Sequence, residues 1–312
     1  MPVFKIQHVT RYSYNRPVKE SVNQIRIYPI ASEQQEILQH EVNITADPEL
    51  FLFLDYFGNR CADFSLVEAH HELTIDSRII IRTMGNEFIT TVNTTWEDLE
   101  QNIAGDFNLI DLIRPDEILS NQVVEEMILS FDHLNKTIMQ IVEICSGFIF
   151  TDFKYIKGIT TIESTVDEIL EHRSGVCQDF AHVLLQLLRT MGIPSRYVSG
   201  YICPNKNGMR GEGATHAWVE AWIPQLGWTG LDPTNNVWVT THHVKLAVGR
   251  NFNDCTPAKG TFKGLARQTL SVYVSVGYED GQIFEELNDV EMVITEAALE
   301  AERMAMEAAQ QQ

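Results

Sequence analysis

From Phe4 to about Thr90 polar and apolar residues alternate, the period of a strand with one buried face. The segments FKIQHVTRYSY, QIRIYPI, HEVNITA, RCADFSLVEA and HELTIDSRIIIRT carry this pattern, and Asp55-Tyr-Phe-Gly58-Asn59 supplies turn chemistry before RCADFSLVEA. A small antiparallel sandwich is the fold expected of this first domain. Between Trp96 and Gly147 the period changes, and DEILSNQVVEEMILSF and LNKTIMQIVEICSGF place apolar residues at helical spacing. Thr165 to Glu171 predicts a short helix. A longer one follows, in which Phe180, Ala181, Leu184, Leu185, Leu188 and Met191 form one apolar face, closed by Gly192 and Pro194. Strands return at SRYVSGYIC, THAWVEAWI, GWTGLDP, VWVTT and QTLSVYVSVGYE.

The pattern divides the chain into an N-terminal antiparallel β-sandwich domain (1–95), an α+β core (96–280) and an acidic tail (281–312). The tail, ending ITEAALEAERMAMEAAQQQ, is expected to be helical, and no internal repeat is present.

Composition narrows the classes. A chain of 312 residues with 44% hydrophobic and 21% charged residues can bury a real core. Forty-three acids against 23 bases give a formal charge of −20, which argues against a nucleic-acid partner. No apolar run is long enough to span a bilayer, and MPVFKIQHVTRYSYNR lacks the apolar core of a secretion signal, so a cytoplasmic protein with no membrane partner is expected. Cys61, Cys145, Cys177, Cys203 and Cys255 are widely spaced with no C-x-x-C pair, which predicts free thiols. The pairs His70-His71 and His242-His243 are adjacent residues that point oppositely in a strand, and no H-E-x-x-H accompanies them. Neither a metal nor another cofactor is expected.

Cys177 is the residue with a special address, in the first turn of the long helix and on its apolar side. There a thiolate would feel the positive end of the helix dipole, and the backbone N–H groups point where an oxyanion could sit. Position alone leaves open a structural cysteine. A base is available in THAWVEAWI, where His216, Trp218, Glu220 and Trp222 share one strand face. A five-residue connection, Ile223 to Gly227, would set Trp218 opposite Asp232 and bring Asp232 to the His216 face; a four-residue one would send it to the other. Cysteine as nucleophile, histidine as base and aspartate as orienting group form a set suited to acyl transfer.

With these residues the chain resembles the transglutaminase-like superfamily of papain-type cysteine enzymes, in its bacterial branch. The matching blocks are SGVCQDFAHVLLQLLRTMGIPSRYVSGY, THAWVEAWIPQLGWTGLDPTNN and HHVKLAVGRNFNDCTPAKGTFKG, with YSYNRPVKESVNQIRIYP and DYFGNRCADFSL resembling the branch's N-terminal β region. The resemblance implies a papain-like core, with the nucleophile helix packed on an antiparallel sheet. It also implies Cys177 as nucleophile, His216 as base and acid, Asp232 as orienting carboxylate, and a peptide or protein substrate. Trp218, Tyr155 and Gln178 are candidates for substrate binding, Tyr155 also for a second oxyanion donor. No D-x-D-x-D-G loop is present, so calcium is not expected. The oligomeric state is not legible. Hydrolysis of a peptide or carboxamide is the leading expectation, with transamidation or a non-catalytic binding module on the same fold as alternatives.

Overall fold

The computed structural model describes residues 1–85, 91–161, 164–203, 209–211 and 215–279, and the backbone of 283–290. Five strands come first: β1 (Val3–Ile25), β2 (Gln35–Ile44), β3 (Phe51–Leu54), β4 (Arg60–Leu66) and β5 (His70–Thr83). Four helices follow, α1 (Trp96–Gly105), α2 (Phe107–Asp111), α3 (Asn121–Ser130) and α4 (Ile138–Asp152), then β6 (Lys154–Tyr155), α5 (Val166–His172), β7 (Ser174–Gly175) and α6 (Cys177–Thr190). The chain continues through β8 (Ser195–Ile202), β9 (Thr215–Ile223), β10 (Gly227–Asp232), β11 (Val237–Trp238), β12 (His243–Gly249), α7 (Phe252–Cys255), β13 (Ala258–Lys263), β14 (Gln268–Tyr278) and β15 (Ile283–Val290).

The first domain is one curled antiparallel sheet of eight strands rather than a sandwich of two. The cause is β1, which runs unbroken for 23 residues and serves both halves. Its first half pairs with β5 and β14, its second with β4 and β13, with register shifts between Ser13 and Val18 and between Lys19 and Val22. Such bulges bend a strand and sharpen its twist. Ile25, Ile27, Phe64, Leu66, Leu73 and Ile75 fill a core within this sheet.

Two expected boundaries are corrected. QTLSVYVSVGYE was assigned to the 96–280 core, but as β14 it pairs along β1 from Phe4↔Tyr278 to Tyr14↔Gln268. Its alternating Val274 and Val276 give it the same one-faced pattern as β1, so it completes the first sheet. Residues 283–290, expected in a helical tail, form β15 along β14. The remainder of that expected tail, 291–312, lies outside the described residues.

The second sheet is antiparallel in the order β11-β10-β9-β8-β12. Ala217, Val219 and Ala221 of β9 join a core with Phe180, Leu184 and Leu188 of α6 and Ile141, Val142 and Ile149 of α4. Trp218, on the opposite face, packs with Val198 and Val248 against Ile30 and Phe57 of the first domain. Elsewhere Tyr201, Cys203, Val244 and Leu246 meet Phe4, Ile6, Ile79 and Ile81. This sheet is therefore covered on both sides, which fixes its strands and the side chains at their ends.

Candidate active site

α6 begins at Cys177 without a conventional cap. Val176, extended at the N-cap, has no side-chain acceptor; instead Asp179 Oδ2 reaches back to accept the Val176 N–H at 2.7 Å and the Thr160 hydroxyl at 2.6 Å. No N-cap side chain therefore occupies the first-turn N–H groups, which remain available to an oxyanion. Gly175 is required here, because a Cβ would collide with the Asp179 side chain. Cys177 is partly exposed, whereas the other four cysteines are buried. Burial pushes the Cys61 thiol up to about 11, and raises the Cys145, Cys203 and Cys255 thiols well above the ordinary thiol value. Those four are core thiols, poor in nucleophilic thiolate.

His216 is the second residue of β9. The β9–β10 hairpin pairs Ile223 with Gly227 and Val219 with Leu231, the register of the five-residue connection, and Asp232 falls on the His216 face. Positive φ at Gln225 and Gly227 makes the turn. His216 Nε2 lies 2.8 Å from Asp232 Oδ2, both side chains fully buried. That leaves Nδ1 as the nitrogen open to a thiol. Nδ1 is buried, and Cys177 is near enough to act on the protonation of the ring. Burial alone would lower the His216 pKa, but Asp232 and then Cys177 outweigh it and raise it to about 10. The buried Asp232 carboxylate thus favours the protonated form of the ring.

Asp232 is saturated with donors. Oδ1 accepts the Thr234 N–H at 2.9 Å and the Asn235 N–H at 3.4 Å; Oδ2 accepts Asn235 Nδ2 at 2.7 Å as well as His216. Burial pushes its pKa up, but the His216 charge and the donors drive it well below the usual carboxylate range. Asn235 Oδ1 accepts the Arg210 N–H at 2.7 Å, tying the 209–211 segment to the carboxylate. Gly211 lies so near His216 Nδ1 that a Cβ would sit 3.1 Å from it.

The candidate binding residues divide. Tyr155 pairs with Gly175, two residues before Cys177, and its ring meets Phe180 edge-on at 6.2 Å. Gln178 is partly exposed in the first turn of α6. Trp218 is corrected: it is fully buried behind His216, ring centroids 6.4 Å apart, and offers a substrate no surface. His182, further along α6, accepts the Phe252 N–H at Nε2 at 3.3 Å.

One residue that sequence reasoning set aside joins the group. His243 Nε2 lies 3.4 Å from Asp232 Oδ2. β12 is three strands from β10, about 14 Å on a flat sheet, so only the curl of the sheet brings them together. His216, Asp232 and His243 offer three ligand atoms within 4.8 Å of one another. They do not form a ready cation site: the Thr240 N–H donates to His243 Nδ1 at 3.3 Å, which puts the His243 proton on Nε2, aimed at Asp232. Two imidazole N–H groups and an amide already fill Oδ2.

Comparison with known proteins identifies the family of the chain. The pattern of the transglutaminase-like superfamily matches residues 134–233, and that of the bacterial transglutaminase-like N-terminal region matches residues 4–82. An uncharacterised Mycobacterium leprae protein is 33% identical over 281 residues, spanning 87% of this chain and 97% of that one. The chain belongs to the bacterial transglutaminase-like family. A solved structure described as a candidate cysteine protease, from Cytophaga hutchinsonii, shares the fold with a TM-score of 0.71 at 22% identity, over 92% of this chain and 94% of that one. A shorter stretch of 83 residues, 25% of this chain and 12% of the relative, is 37% identical to a protein-glutamine gamma-glutamyltransferase of Pseudomonas aeruginosa. Among the described residues no helix is long and apolar enough to cross a membrane.

Proposed function

We propose that this family member is a cysteine-dependent acyl-transfer enzyme that opens a peptide or carboxamide bond through a thioester on Cys177. The observation that carries the reading is the hydrogen bond from His216 to Asp232, 2.8 Å and fully buried, on a ring that also feels the thiol opening α6.

In this scheme His216 Nδ1 takes the Cys177 proton and the thiolate adds to the acyl carbon. The oxyanion is met by backbone N–H groups of the first α6 turn, with Tyr155, beside Gly175, as candidate second donor. His216 returns the proton to the departing amine, the C–N bond breaks and the thioester remains. Water then attacks as His216 accepts its proton; the proton passes to sulfur as the acid leaves. Asp232 holds the ring through Nε2 throughout.

Hydrolysis is the proposed outcome. The stretch shared with the Pseudomonas gamma-glutamyltransferase supports a second reading, in which a primary amine replaces water in the last step. The deciding test is iodoacetamide alkylation of Cys177 against pH, read by mass spectrometry in wild type and His216→Ala. Rapid labelling well below pH 8, lost in the variant, is the expected result. Labelling no faster than at Cys61 or Cys203 and indifferent to His216 would leave a binding module. Incubation of glutamine-bearing peptides with and without a primary amine then separates hydrolysis from transamidation by product mass.

A further inference from the structure

We propose that His243 is a positioning residue of the catalytic pair: a second, neutral imidazole that donates to the same Asp232 oxygen as His216 and so sets how tightly that carboxylate holds the catalytic ring. The inference rests on the reading of His216 and Asp232 as base and orienting group.

The proton placement follows from partners. A backbone N–H can only donate, so Thr240 fixes Nδ1 of His243 as acceptor and leaves the hydrogen on Nε2, 3.4 Å from Asp232 Oδ2. The ring is fully buried and meets the edge of Trp218 at 5.3 Å, which prevents it from turning away. The titratable groups that act on it are Asp232, His216 and His242. Burial keeps His243 neutral, and the neighbouring His216 and His242 charges act in the same direction, against Asp232.

The consequence is competition at one oxygen. Oδ2 is shared by His216 Nε2, Asn235 Nδ2 and His243 Nε2. Each N–H draws charge from the carboxylate and weakens its hold on the others. A carboxylate without His243 would bind the His216 cation more tightly, and a cation held too tightly is slow to give its proton to a leaving amine. Packing alone would be met by any flat side chain at 243; tuning Asp232 requires a donor there.

The test uses the whole chain with 15N-labelled histidine. Nitrogen shifts follow His216 protonation with pH in wild type, His243→Phe and His243→Gln, beside the alkylation profile of Cys177. The wild-type spectrum is expected to show His243 as the Nε2–H tautomer. His243→Phe is expected to keep His216 protonated to a higher pH by roughly one unit, and His243→Gln, which restores an N–H, to return the midpoint toward wild type. If His243→Phe does not melt cooperatively, His243→Asn, whose amide is too short to reach Oδ2, replaces it. An unmoved His216 midpoint, or equal shifts in the donor and non-donor variants, overturns the inference. Because the His216 titration is read directly, slow alkylation of wild-type Cys177 would count against the enzyme reading and not against this one.

Discussion

Asn59 and Val248 exchange two hydrogen bonds between the first domain and the second sheet, Nδ2 donating to the Val248 carbonyl at 2.6 Å and Oδ1 accepting its N–H at 2.8 Å. The amide replaces a neighbouring strand for β12. Asp55 holds it in place by accepting the Asn59 N–H at 2.9 Å and the Nδ2 proton at 2.9 Å. Asn59→Ala leaves a buried donor and acceptor of Val248 unpaired, at a cost of about 1–3 kcal/mol for each orphaned group. A fall in the urea midpoint with no change in slope is the expected result; an unchanged midpoint would mean that the two layers cohere through apolar contact alone.

Glu220 sits on the His216 face of β9, buried between two cations, Arg196 at 2.6 Å and Lys245. Burial raises its pKa, but the two cations prevail and hold it ionised. Arg196 also lies over the Trp228 ring, 4.3 Å from its centroid. Removing the carboxylate leaves both cations uncompensated in a confined site, so Glu220→Leu is expected to cost about 3–5 kcal/mol. Equilibrium unfolding checks this, and a variant as stable as wild type would show that the cations relax to water.

Stability should fall at acid pH for an identifiable reason. Burial lowers His8 to about 4 in the fold, against 6.5 in a free chain. Burial does the same to His182, the Asp116 charge opposing and the Arg189 charge adding to it. Both fold as neutral rings, so their stabilisation is complete above about pH 6.5 and is lost as pH falls toward 4. At 1.36 kcal/mol per pH unit this is on the order of 3 kcal/mol each. His216 has the opposite sign: raised to about 10, its contribution is complete below 6.5 and is lost as pH rises through 10. Unfolding free energy measured from pH 4 to 10 should form a dome, and His8→Leu should flatten the acid side; an acid limb identical in that variant would assign the loss to other groups.

Asp232→Asn keeps the shape of the site and reverses its proton logic. An amide that donates toward His216 Nε2 forces the ring proton to Nδ1, the nitrogen that must accept from Cys177. Any acyl-transfer activity should drop by roughly 10²–10⁴-fold, and the melting temperature near neutral pH should fall because the buried His216 ring loses the carboxylate that holds its charge. Retained activity would remove Asp232 from the mechanism.

Much of the site was legible because each part announced itself locally. The run SGVC before an apolar helix located Cys177, and strand period left two registers for one hairpin, of which the structure has the one that puts Asp232 beside His216. His243 was illegible for the complementary reason. Its approach depends on the curl of a sheet whose strands β10 and β12 are not neighbours, and neither periodicity nor a turn records curvature. Trp218 misled because a strand face shared with His216 does not say which side of the imidazole is open. The placement of QTLSVYVSVGY failed similarly: its alternation was correct, but a strand pattern names no partner, and β1 lies more than 240 residues away in sequence.

The long partnership of β1 and β14 sets the order in which the molecule can be finished during synthesis. β1 is made well before β14, so one side of its first half has no neighbour until residues 268–278 appear. Throughout the making of the helices and of Cys177, an unpaired edge of alternating apolar residues waits for its complement. The second sheet and its helices are thus an insertion within a single sheet, and the thiol-bearing helix gains its finished foundation only after β14 has been made.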